Sequence, residues 1–87
     1  MDTAGMILEI LTPEKVLFNG KVGYVLLPGS KAPFVVLKNH APIISQLAQG
    51  DIVWRGCDGE ERVTVSGGFA EIKDNRITAC VEYKEKQ

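Results

Sequence analysis

Histidine occurs once in this chain, at position 40, and cysteine only twice, at positions 57 and 80. One imidazole and two distant thiols have no recognisable metal-ligand spacing, so no metal and no cofactor is expected. Small secreted disulfide domains carry more cysteines, so Cys57 and Cys80 are expected as free thiols in a reducing compartment. No apolar run approaches the roughly 20 residues that span a bilayer, which argues against direct membrane insertion. The opening Met1-Asp2-Thr3-Ala4-Gly5 has neither the basic segment nor the apolar stretch of a secretory leader. Charge of one sign is not in excess: ten basic and eleven acidic residues leave a formal net charge of -1. Nothing there points to nucleic acid, and the mixed Lys84-Glu85-Lys86 reads as a solvated chain end. Helical periodicity, internal repeats, linkers and low-complexity segments are also missing.

What is present is a dense series of short apolar runs. Eighty-seven residues, 45% of them hydrophobic, make one domain (residues 1–87, core about 6–81) with a modest core. Met6–Leu11 is the first run, followed by 16–18 closed by Asn19-Gly20, and by 22–27 closed by Pro28-Gly29. Residues 34–37, rich in valine and aromatic character, suit a pleated surface. Runs 43–48 and 51–55 flank a turn expected at Gly50. Asp58-Gly59 and Asp74-Asn75 are hairpin turns by composition, because Asp, Asn and Gly reach positive φ at low cost. Around the second turn, Ala70 and Ile72 share one parity and Phe69, Glu71 and Lys73 the other. Across it, Ile77, Ala79 and Val81 lie opposite Thr78 and Cys80. About nine short strands separated by turn signals predict a β-sandwich or barrel, and short connections predict antiparallel pairing throughout.

Candidate chemistry is sparse. His40 has no orienting partner or nucleophile in any recognisable pattern, so it is expected to be a structural or interface residue stiffened by Pro42. Ser66-Gly67-Gly68 precedes an alternating strand rather than the helix a phosphate loop requires, so the glycines serve a sharp turn or a close strand approach. Trp54, without a basic and aromatic surface, reads as core or as a partial interface anchor. The carboxylates show no paired spacing. No catalytic residue is assigned and no small-molecule ligand is expected.

Two segments, Asn39-His40-Ala41-Pro42 and Val65-Ser66-Gly67-Gly68-Phe69-Ala70-Glu71-Ile72, occur in an order and at a spacing that resemble the amino-terminal domain of the F-type ATP synthase epsilon subunit. Leu8-Glu9-Ile10-Leu11-Thr12-Pro13-Glu14, Leu17-Phe18-Asn19-Gly20 and Asn75-Arg76-Ile77-Thr78 extend the likeness over nearly the whole chain. The resemblance implies an all-β fold, a flattened antiparallel β-sandwich of about ten short strands. It implies a non-catalytic rotor subunit in the central stalk of a proton- or sodium-translocating enzyme, coupling the gamma subunit to the membrane c ring. Thr12, His40, Ser45, Ser66, Glu71 and Thr78 match positions at or near the gamma contact. Gly29, Ser30, Lys31, Ala32 and Pro33 form the turn expected to meet the polar loops of the c ring. The implied location is peripheral, on the cytoplasmic face of the bacterial plasma membrane within the F1 sector.

The chain departs from the family pattern at Ala32 and Val35, which replace usual glycines, and at Lys38, which replaces a common proline. Bacterial members usually continue into two helices, whereas only six residues follow Val81 here. Six residues span about 9 Å as helix, so inhibition by helix extension is not expected of this form. The alternative, from composition and strand pattern alone, is a small β-sandwich protein-binding module of unknown partner.

Overall fold

A computed structural model describes residues 5–83; the readings of the first residues and of the Lys84-Glu85-Lys86 end lie outside them. The described residues form nine strands and no helix. They are β1 (Met6–Leu11), β2 (Val16–Val22), β3 (Tyr24–Leu27), β4 (Phe34–Val36), β5 (Ile43–Leu47), β6 (Gly50–Gly56), β7 (Gly59–Val65), β8 (Gly67–Lys73) and β9 (Arg76–Glu82). They make a five-stranded sheet in the order β2-β1-β9-β8-β5 and a four-stranded sheet in the order β4-β3-β6-β7. The body measures 41 × 27 × 19 Å, the flattened sandwich expected of this pattern.

Alternation dictates the two layers. Leu8 and Ile10 of β1, Ala70 and Ile72 of β8, and Ile77, Ala79 and Val81 of β9 all point inward. From the other sheet they meet Val25, Leu27, Val36, Ile52, Trp54 and Val65. Each large aliphatic buried there contributes about 1.5–3 kcal/mol of transfer free energy. Trp54 is core rather than surface: its ring lies 4.6 Å, centroid to centroid, from that of Phe18 on β2 and joins the two sheets.

Several expectations are corrected. Asn19-Gly20 does not end a strand, because β2 runs through it and Gly20 pairs with Leu8. The Phe18 ring covers Gly20 so closely that an added Cβ would lie 2.9 Å from it, and the Asn19 amide donates to Glu9 at 3.3 Å. Residues 22–27 are not one strand; the chain bends at Gly23, whose N–H donates to the Arg55 carbonyl at 3.0 Å as the chain passes from β2 to β3. Gly50 opens β6 and the turn falls just before it. Pairing is antiparallel with one exception: β1 and β9 run parallel, Leu8 beside Ile77 and Ile10 beside Ala79. These strands are joined by most of the chain rather than by a short connection, so the rule favouring antiparallel neighbours does not bind them.

Of the two expected turns, Asp74-Asn75 behaves as composition requires, with φ of 53° and 61°. In the other, Asp58 keeps negative φ and the left-handed residue is Gly59, at 101°.

Candidate partner-binding face

The five-stranded sheet turns an outward face to solvent, and strand register fixes its rows. Gln46, Phe69, Cys80 and Leu11 form one row across β5, β8, β9 and β1. Ile44, Glu71, Thr78 and Glu9 form the next. Phe69 is 59% exposed and Ile44 73%, although both are large and apolar. A mainly apolar groove of about 400 Å³, lined by Leu11, Pro13, Phe69 and Cys80 among others, runs along one end of this face. No hydrogen bond or ion pair among the described residues engages the Glu71 carboxylate. Exposed aromatic and aliphatic side chains interleaved with unpaired polar groups have the chemistry of a protein interface.

The six positions singled out for gamma are distributed unevenly over this face. Glu71 and Thr78 are directly opposed at its centre. Thr12 lies at the end where β1 turns into β2. Its Oγ1 accepts the N–H of Glu14 at 3.2 Å and of Lys15 at 3.0 Å, so it also closes that turn. Ser66 lies at the same end, its N–H and Oγ both donating to the Glu82 carbonyl at 2.8 and 3.1 Å. His40 is at the opposite end; its N–H donates to Leu37 O at 3.1 Å and its Nδ1 to Ala41 O at 2.8 Å. Ser45 pairs with buried Ala70, so it has inward parity on the edge strand, half-exposed, while Ile44 and Gln46 face out.

Ile44, Phe69 and Leu11 lie on this face but are not among the six positions matched to the gamma contact. Phe69 was detectable: an aromatic residue on the outward parity of an alternating strand is the available signal. The serine and glycines between Val65 and Phe69 build strand geometry. A Cβ at Gly68, whose φ is 139°, would run into the Cys80 carbonyl and lie 2.8 Å from the Val81 Cα. The expected close strand approach is therefore present at this glycine.

The turn carrying Gly29, Ser30, Lys31, Ala32 and Pro33 projects between β3 and β4. Gly29 is buried and bridged to Leu47, the Ser30 N–H donates to Gln46 O at 2.9 Å, and residues 30–33 are exposed. A side chain at 29 would collide with Ala32 O at 2.6 Å and with the Phe34 ring at 2.9 Å. β6 starts beside this turn and ends at Gly56, which places the Cys57-Asp58 turn at the other end of the molecule.

Among the described residues no group of three or more His, Cys, Asp or Glu side chains could hold a metal ion. Cys57 and Cys80 are free and exposed. Among the described residues no helix is long and apolar enough to cross a membrane.

Fold and face together define a small two-sheet sandwich with one partly apolar outward surface. The chain belongs to the ATP synthase delta/epsilon chain β-sandwich domain family, whose profile matches residues 5–87. An ATP synthase epsilon chain of Nitratidesulfovibrio vulgaris is 42% identical over 79 residues, covering 91% of this chain and 59% of the relative. One from Maridesulfovibrio salexigens is 36% identical over 81 residues, covering 93% and 57%. This chain thus spans less than two thirds of those relatives. Among solved structures, a chain of the Euglena gracilis mitochondrial ATP synthase OSCP/F1/c-ring assembly superposes with a TM-score of 0.82 at 22% identity, covering 90% of this chain and 51% of that one. A chain of the Tetrahymena thermophila mitochondrial ATP synthase central stalk/c-ring superposes at 0.75 with 18% identity, covering 90% and 63%. At these identities the structural likeness speaks for the fold.

Proposed function

We propose that the chain acts as a central-stalk rotor subunit of an F-type ATP synthase, without catalysis of its own, passing torque between the gamma subunit and the c ring. The observation that carries this reading is family membership across the whole described sandwich, with relatives named as ATP synthase epsilon chains. The exposed row of Ile44, Glu71 and Thr78 and the neighbouring Phe69 support it as the gamma-facing surface, with Thr12, Ser66 and His40 at its margins and Ser45 on its edge strand. The exposed tip at residues 30–33, on buried Gly29, supports an end-on contact with the c-ring loops. The protein is then held at the cytoplasmic side of the plasma membrane through these partners.

Two measurements test the reading. The chain is expected to co-purify with the cognate gamma subunit and to show neither ATP turnover nor micromolar ATP binding by calorimetry; failure to bind gamma, or tight ATP binding, refutes it. In the assembled enzyme, Ser30→Cys or Lys31→Cys is expected to cross-link to c-ring loops. Cross-links from Asp58→Cys with none from positions 30 and 31 would invert the orientation.

A further inference from the structure

Asn39 and Asn75 are 36 residues apart in sequence, yet they are joined by two hydrogen bonds. The Asn39 N–H donates to Asn75 Oδ1 at 2.6 Å, and Asn75 Nδ2 donates to Asn39 Oδ1 at 3.1 Å. Both residues lie in the left-handed region, with φ of 68° and 61°. The carbonyl of Asn75 also accepts the Ile7 N–H at 3.0 Å. Three segments therefore meet at Asn75: the β4–β5 crossover that carries His40, the β8–β9 hairpin that carries Glu71 and Thr78, and the start of β1.

We infer that the Asn39–Asn75 clasp is a positioning element for gamma binding, tying the His40 loop to the Glu71–Thr78 hairpin so that both present one rigid surface. The inference rests on the reading of that face as the gamma contact. The crossover needs such a tie. Between Val36 and Ile43 the chain leaves one sheet for the other, and its backbone–backbone bond outside the strands is His40 to Leu37, within the loop itself. Without the clasp the loop pays its ordering entropy when the partner arrives. Asparagine suits both positions because it tolerates positive φ and its amide both donates and accepts. Glycine supplies the backbone geometry alone. A single aspartate preserves complementarity: at 39 it accepts from Asn75 Nδ2, and at 75 it accepts the Asn39 N–H while the Asn39 amide turns to donate. Two aspartates leave carboxylates facing each other with no side-chain donor between them.

The test measures gamma affinity and Asn39 amide exchange for the full chain, with Glu71→Arg as reference. Asn39→Asp and Asn75→Asp are each expected to bind gamma within about twofold of the parent, because both hydrogen bonds remain and at least one becomes charge-assisted. The double variant Asn39→Gly/Asn75→Gly loses both hydrogen bonds, and Asn39→Asp/Asn75→Asp keeps the residue-39 N–H bond but replaces the side-chain bond with two opposed carboxylates. Each is expected to bind about fivefold more weakly, with an unchanged far-ultraviolet spectrum and, in the glycine pair, faster amide exchange at position 39. The glycine pair keeps the test open should the aspartate pair misfold. Parental affinity in the double variants alongside weakened Glu71→Arg overturns the clasp and spares the face. Parental affinity in all of them overturns the face itself. Single aspartates as weak as the pair overturn the amide pairing, and weak double variants with parental Glu71→Arg overturn the shared surface.

Discussion

The two outward faces of the sandwich are finished differently. On the four-stranded sheet the charges answer one another: Arg62 reaches Asp51 at 3.2 Å and Glu60 at 3.4 Å, and Arg55 reaches Glu60 at 3.3 Å while lying 4.4 Å above the Tyr24 ring. Thr64 donates to Asp51 at 2.6 Å. On the five-stranded sheet, among the described residues, the one ion pair is Arg76 with Glu9 at 4.0 Å, while Phe69 and Ile44 stand in water. A self-compensated surface is complete in solvent, and exposed ion pairs on it contribute less than about 1 kcal/mol each. A surface that keeps an aromatic residue beside an unpaired carboxylate has the chemistry that a partner would complete. The contrast supports the proposed docking on the five-stranded sheet without appeal to sequence motifs.

The strongest way to break the contrast is to remove one sheet's geometry. Gly68→Ala is expected to cost about 3 kcal/mol or more, because a positive-φ residue gains a Cβ that collides with neighbouring backbone. Urea unfolding measures it, and a loss under about 1 kcal/mol would mean that β8 and β9 can separate freely. Next is Phe69→Ala, expected to weaken gamma binding by about 2 kcal/mol, as an aromatic anchor should, while stability changes by no more than about 0.5 kcal/mol. Val35→Ala, on the other face, is its control and should leave gamma binding alone. Glu71→Arg should weaken gamma binding about tenfold with the fold intact, whereas Glu60→Arg should not; equal effects would erase the distinction between the faces.

The smallest effect concerns Asp51. The hydrogen bond from Thr64, and then Arg62, hold its carboxyl below the ordinary carboxylate value. A depressed folded pKa gives stability that is present above the unfolded pKa and is lost as pH falls through the folded one. Asp51→Asn should therefore be less stable than the parent at neutral pH, and the gap should close in acid below the usual carboxylate range. Urea midpoints at pH 7 and pH 3 measure this, with gamma binding unaffected.

Local chemistry explains which features could be read from sequence. Asp74-Asn75 was legible because both residues favour the conformation that they adopt. Asn19-Gly20 carries equally strong turn chemistry, yet tertiary contacts overrule it: Phe18 shields the glycine and the hydrogen bonding of β1 continues past it. The β1–β9 pairing and the Asn39–Asn75 clasp join residues far apart in the chain, so no local pattern announces them. On the face itself, the parity of Glu71 and Thr78 followed from alternation. Ser45 is the instructive case, since buried Leu47 two residues on marks its side of β5 as the inward one.

The parallel pairing of β1 with β9 also bears on how the domain is made. β9, the last of the described strands in sequence, sits in the middle of its sheet, between β1 and β8. On the ribosome, β2–β1 and β8–β5 can pair as separate ladders, but nothing joins them in that sheet until residues 76–82 have emerged. The four-stranded layer needs no later residue than Val65, so it can be hydrogen-bonded first, with its apolar side waiting for a cover. Closure of the sandwich therefore waits for residues 76–82 and is dominated by contacts of long sequence separation, so the nascent domain is most prone to aggregate just before β9 slides home.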